Sequence, residues 1–97
     1  MQQRLSHQPD AARYVLRIDG EIASVLDYRV LGDAIAFTRT FTNPRHRGEG
    51  LASELVEYAV DDVAATSERR IVPSCWYVGE WFDHHPDRAG MLAARNA

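Results

Sequence analysis

Two stretches of this chain carry residue types that do chemistry. The first is Thr42-Asn43-Pro44-Arg45-His46-Arg47-Gly48-Glu49-Gly50-Leu51-Ala52. Two glycines one residue apart let the backbone turn sharply and leave its N–H groups uncovered. Where such a turn opens a helix, those N–H groups lack intrahelical acceptors. With the helix dipole behind them they favour an anion, most naturally a phosphate. Arg45 and Arg47 add positive charge beside that spot. The plainer reading of the same pattern is a tight strand-to-helix turn with no ligand. Two better-known phosphate loops are excluded. No Gly-Lys-Ser/Thr triplet of a P-loop is present. A dinucleotide fingerprint wants Gly or Ala three residues after the second glycine, where Ser53 stands. It also wants an acid at the end of a following strand, whereas Asp61 and Asp62 fall inside the helical stretch.

The second stretch is Pro73-Ser74-Cys75-Trp76-Tyr77. Cys75 is expected in the first turn of a helix, a position that lowers a thiol pKa and makes the thiolate more available. The alternative is a buried, inert cysteine, since free Cys is among the most buried residue types. His84 and His85 do not complete a Cys–His dyad or a metal site with it. A rise of ~1.5 Å per residue puts Cys75 and His85 roughly 15 Å apart along one helix, and a shared zinc needs far less. No metal is expected, and His85 is expected to pack or cap before Pro86.

The flanking sequence must position these groups. Ala12 to Asp19 alternates, with Tyr14, Leu16 and Ile18 on one face. Asp19-Gly20 is a two-residue hairpin signal. Glu21 to Val30 resumes with Ile22, Ser24, Leu26 and Tyr28 on one face. Ala34 to Thr42 follows with Ile35, Phe37, Arg39 and Phe41 opposing Ala36, Thr38 and Thr40. Short connections make these three strands an antiparallel meander. Pro44 ends the third, because it cannot donate to a ladder. Glu49 to about Ser67 reads as a helix, with Leu51, Leu55, Val56, Ala59, Val60 and Val63 in one apolar stripe. Glu54, Glu57, Asp61 and Asp62 form its solvated face. Arg70-Ile71-Val72 is a short strand, and a strand–helix–strand run implies a parallel crossover. Trp76 to about His85 is a second helix, with Val78, Trp81, Phe82 and His85 at helical spacing. Residues 1–11 and 87–97 read as loose ends.

The chain has 97 residues, which bounds it to a single domain, 1–97. Its 45% hydrophobic and 26% charged composition is that of a soluble globular protein. No apolar run approaches a membrane span, and no secretory signal segment opens the chain. One cysteine cannot form an internal disulfide, so a cytoplasmic location is expected. A net charge of −3 lacks the footprint of a nucleic-acid binder.

Three motifs stand in order: Arg47-Gly48-Glu49-Gly50, within the wider Arg45-x-x-Gly48-x-Gly50; Val72-Pro73-Ser74-Cys75-Trp76-Tyr77-Val78; and Trp81-Phe82-Asp83-His84-His85-Pro86. Together with the order of elements they resemble the GNAT superfamily of N-acetyltransferases, and more closely its very small single-domain members. The match runs from about Ala12 to Pro86. The resemblance implies a mixed α+β, minimal GNAT-like fold. It implies acetyl-CoA or another acyl-CoA as co-substrate, an amine acceptor and no metal. It places the pyrophosphate on the N–H groups of Arg45 to Gly50. The cofactor-binding residues it implies are Phe41, Thr42, Arg45, His46, Arg47, Gly48, Glu49, Gly50 and Leu51. A backbone N–H of the preceding strand, around Thr40 to Thr42, is then expected to polarise the thioester carbonyl. Cys75 becomes an acyl carrier or a polar contact to the thioester, and Tyr77 the nearest proton donor for the leaving thiolate. Longer members have helices between their first two strands, where this chain offers Asp19-Gly20. The acceptor site is accordingly either open or completed by a second subunit in a homodimer. A non-catalytic CoA-binding module and a purely structural domain are the rival readings.

Overall fold

The computed structural model of the chain describes residues 2–93. Its centre is the meander that alternation and turn residues predict. β2 (Arg13–Ile18), β3 (Glu21–Leu31) and β4 (Ala34–Thr42) pair antiparallel. Asp19 and Gly20 both take positive φ, 51° and 85°, the backbone that a tight hairpin turn demands. α1 (Leu51–Thr66) then crosses to β5 (Arg70–Pro73), which lies parallel to β4 as expected. α2 (Trp76–Asp83) follows, with His84 as its cap, and a 3-10 segment, Pro86–Met91, comes after it.

Both helices pack on one face of the sheet. Leu55, Val56, Ala59 and Val60 of α1, with Val78, Trp81 and Phe82 of α2, share a core with Tyr14, Leu16, Leu26 and Phe37. Each fully buried side chain of this size stabilises the fold by about 1.5–3 kcal/mol. Among the described residues no helix covers the opposite face. β5 is held on its outer side by the C-terminal segment. Leu92 bridges to Ile71, and the Ala93 N–H donates to the Ile71 carbonyl at 2.9 Å.

The structure departs from the sequence expectations at several points. The lead-in expected to be loose contains a strand, β1 (Gln3–Gln8), which pairs antiparallel with β2 from Gln3↔Ile18 to Gln8↔Arg13. The sheet order is therefore β1-β2-β3-β4-β5. β1 is an edge strand, fastened by backbone pairing and by His7. The His7 ring stacks on Tyr14 at 4.2 Å and its Nε2 lies 2.6 Å from the Tyr28 hydroxyl. The 3-10 turn Pro9–Ala11 joins the first two strands, and Asp19-Gly20 joins the second and third. Asp62 is not on a solvated face: its carboxylate accepts from the Tyr14 hydroxyl at 2.7 Å and pairs with His7 Nδ1 at 3.3 Å. Of the segment after Pro86 expected to be loose, residues 86–91 form the 3-10 turn, while 94–97 lie outside the described residues.

Two β-bulges overturn the simple alternation on β3 and β4. The β2–β3 register jumps from Leu16↔Ser24 to Arg17↔Ile22, leaving Ala23 unpaired. The β3–β4 register jumps from Asp27↔Arg39 to Tyr28↔Phe37, leaving Thr38 unpaired. An extra residue reverses the facing of everything beyond it. Ile22, Arg39 and Phe41 consequently share the helix-free face, while Thr40 and Thr42 turn towards the helices.

Candidate active site

β4 and β5 pair only from Ala34↔Arg70 to Phe37↔Pro73. β4 then continues to Thr42, while the other chain bends away at Ser74 and enters α2. The Cys75 N–H donates to the Phe37 carbonyl at 3.0 Å, which closes the bottom of the gap.

The loop between β4 and α1 sits at its mouth. The Pro44–His46 turn spends the first amides of the loop on the protein itself. The Arg45 N–H donates to Asn43 Oδ1 at 3.0 Å, the His46 N–H to the Asn43 carbonyl at 2.8 Å and the Arg47 N–H to the Pro44 carbonyl at 3.4 Å. The expectation that these three amides bind a pyrophosphate is thus corrected: they already have acceptors. From Gly48 onward the situation changes. Among the described residues, no protein acceptor is hydrogen-bonded to the N–H groups of Gly48 through Ser53. The first helical bond runs from the Glu54 N–H to the Gly50 carbonyl. Gly48 and Gly50 hold φ of 82° and 74°, a left-handed backbone that favours glycine.

Four residues of this run, Gly48, Gly50, Leu51 and Ala52, line a cleft of about 200 Å³. His46, Arg47, Gly48 and Gly50 line it from the loop, Leu51 and Ala52 from the first turn of α1, Thr42 from β4 and Tyr77 from α2. Most of the expected binding residues are therefore brought together, and Tyr77 with them. Three side chains are not. The Arg45 guanidinium reaches away to the Glu21 carboxylate at 3.4 Å. Glu49 turns to His46, with its carboxylate 3.4 Å from Nδ1. Phe41 lies on the helix-free face, 44% exposed, beneath the Arg39 guanidinium.

Cys75 is the residue that caps α2, with φ −82° and ψ 132°, rather than a member of its first turn. Its sulfur lies 3.6 Å from the Thr40 hydroxyl. Burial pushes the thiol up. The Thr40 hydroxyl and the N–H groups of Val78, Tyr77 and Thr40 outweigh it, and hold the thiol below its ordinary range. Tyr77 shifts the other way: burial and the neighbouring Glu80 carboxylate raise the phenol, so it stays protonated at neutral pH. Thr40 supplies both a hydroxyl and an amide to this spot, and sequence alternation alone gave its side chain no role. The buried Ser24 was likewise missed. Its hydroxyl donates to the Phe41 carbonyl at 3.0 Å and lies 3.2 Å from Thr42 Oγ1, holding the end of β4 in place. His85 stacks on Trp81 at 3.9 Å, with Nδ1 2.6 Å from the Trp81 carbonyl, so it packs as expected.

The fold is similar to that of the ribosomal-protein-S18-alanine N-acetyltransferase from Escherichia coli, with a TM-score of 0.63 and 17% sequence identity. The likeness covers 75% of this chain and 50% of that one, so the chain spans about half the length of its structural neighbour. At that identity it speaks for the fold alone. No curated protein sequence matches the chain. Residues 13–91 match the family described as GCN5-related N-acetyl-transferase. That match begins at β2, takes in the glycine loop, Cys75 and Tyr77, and ends with the last 3-10 turn; the chain belongs to the GCN5-related N-acetyltransferase family.

Proposed function

We propose that the protein transfers an acyl group from acetyl-CoA, or a related acyl-CoA, to an amine. The observation that carries this is the run of N–H groups from Gly48 to Ser53 without protein acceptors among the described residues, at the head of α1. Gly48, Gly50, Leu51 and Ala52 of this run line a cleft with Tyr77. Converging amides at a helix N-terminus suit a diphosphate, and the Arg47 side chain adds a cation beside them. From there the thioester arm extends along Thr42 and Thr40 towards the gap between β4 and Cys75. The amine nitrogen attacks the thioester carbonyl carbon and loses a proton to water. In this reading the Thr40 N–H stabilises the oxyanion, a contribution of about 3–4 kcal/mol where such donors have been removed. The C–S bond then breaks, and Tyr77 gives its phenolic proton to the departing thiolate before being reprotonated by water.

A second reading is favoured by the lowered thiol of Cys75 beside Thr40. Here the Cys75 thiolate attacks the carbonyl carbon, CoA leaves as thiolate, and the acyl group rests on sulfur as a thioester until an amine takes it. The chain contains no lysine. An acetyl adduct removable by hydroxylamine would therefore report on Cys75 directly.

Calorimetry with acetyl-CoA tests the common basis of both readings. Wild type is expected to bind. The Gly48→Glu, Gly50→Glu double variant, checked for folding by circular dichroism, is expected not to bind. Absence of binding by wild type would remove both readings. Undiminished acyl transfer in Cys75→Ala would leave direct attack as the route.

A further inference from the structure

We infer that the helix-free face of the sheet docks an acidic segment of another polypeptide, whose carboxylates sit on Arg4 and Arg17. This rests on the fold and not on the acyl-transfer reading. Arg4 and Arg17 are directly opposite one another in the β1–β2 pair and share that face. Like charges placed this way repel and destabilise a sheet. Among the described residues neither guanidinium has a carboxylate partner. The nearest acid of the adjoining turn, Asp19, accepts the Gln2 N–H at 2.8 Å. A cleft of about 200 Å³ opens beside the pair, lined by Gln2, Arg4, Arg17 and Gly20.

Two other arginines on this face do have partners. Arg13 donates to Gln8 Oε1 at 2.7 Å. Arg39 faces Asp27, with N···O at 3.7 Å. Arg29 is exposed and, among the described residues, adds a further cation without a carboxylate partner. Between them run Val15 and Val25, both buried, Ile22, which is half-buried, and Phe41, which is exposed. Cations around an apolar strip match a peptide that alternates carboxylates with aliphatic side chains, and guanidinium takes a carboxylate through paired hydrogen bonds.

The charge of the whole molecule selects the same partner. α1 and α2 contain no basic residue, yet they carry Glu54, Glu57, Asp61, Glu80 and Asp83. The strands are opposite in sign, with Arg4, Arg13, Arg17, Arg29, Arg39 and Arg70 against Glu21 and Asp27. An acidic partner is turned away from the helices and steered to the sheet. A nucleic acid would run on past the short basic strip towards the acidic layer. Two copies meeting sheet to sheet would set arginine against arginine. A sheet-to-helix contact between copies would be head-to-tail and would give a ring or a filament rather than a two-fold dimer.

Fluorescence anisotropy with a short labelled peptide of alternating Glu and Val tests the inference on the full chain. Saturable binding is expected, weakened by salt, with none for the matching Lys–Val peptide. The Arg4→Gln, Arg17→Gln double variant should bind about tenfold more weakly, as expected when two partly exposed charge contacts are lost. It should keep wild-type affinity for acetyl-CoA and melt no lower than wild type, since a repulsion has been relieved. Equal peptide binding by the variant would overturn the inference. So would a lower melting temperature, which would make the pair structural. Tighter binding of a single-stranded oligonucleotide of equal charge, or arginine-dependent self-association in sedimentation, would also overturn it.

Discussion

The sulfur of Cys75 is buried, yet its surroundings favour the charged form. Burial alone would raise the thiol, while the Thr40 hydroxyl and the amides of Val78, Tyr77 and Thr40 lower it further than burial lifts it. Alkylation by iodoacetamide should therefore be slow, because access is poor, and its pH midpoint should fall below the value of about 8.5 for a free thiol. In Thr40→Val the hydroxyl is gone and burial remains, so the midpoint should move upward. A midpoint unchanged by Thr40→Val would show that Thr40 does not tune the sulfur. Cys75 and Tyr77 were legible in the sequence because both belong to one short run after a proline. The side-chain role of Thr40 was not, because a bulge at Thr38, set by pairing with another strand, decides which way it faces.

At the scale of elements, the glycine loop and α2 make opposite demands on the same residue type. Gly48 and Gly50 have open space where a Cβ would stand, but both hold left-handed φ. Gly48→Ala and Gly50→Ala should each cost about 1–2 kcal/mol in urea unfolding through backbone strain alone. Gly79 also has open space around it, and it sits inside α2 without a positive φ. Gly79→Ala should stabilise by about 0.5–1 kcal/mol. The order β2 to α2 was readable from alternation, a hairpin dipeptide and one helical stripe, which are local signals. β1 was not. In Gln3-Arg4-Leu5-Ser6-His7-Gln8 only Leu5 is aliphatic, and His7 finds its partners on β2, β3 and α1. Among the described residues the loop amides without acceptors begin at Gly48, three residues later than expected, because a proline turn uses those of Arg45, His46 and Arg47.

Across the whole molecule, His7, Tyr14, Tyr28 and Asp62 tie β1, β2, β3 and α1 into one hydrogen-bonded cluster. Burial raises the Tyr14 phenol strongly, and the Asp62 carboxylate that accepts its proton raises it further. A folded pKa above the unfolded one gives stability that is complete below the unfolded value of about 10 and is lost as pH rises beyond it. The melting temperature should accordingly hold up to about pH 10 and then fall, as the unfolded phenol ionises. Tyr14→Phe should cost about 1 kcal/mol at neutral pH through the lost hydrogen bond. Above pH 10 its melting curve should decline less than that of wild type. An equal decline in both would place the alkaline sensitivity elsewhere.

The bridge from Leu92 to Ile71 has a bearing on handling the protein. β5 is the last strand of the sheet, and among the described residues Leu92 and Ala93 cover its rim at Ile71. Proteolytic clipping after Gly90 would strip the rim and leave naked backbone for stray chains to zip onto. Turbid preparations would then trace to an uncovered strand rather than to a poorly packed core.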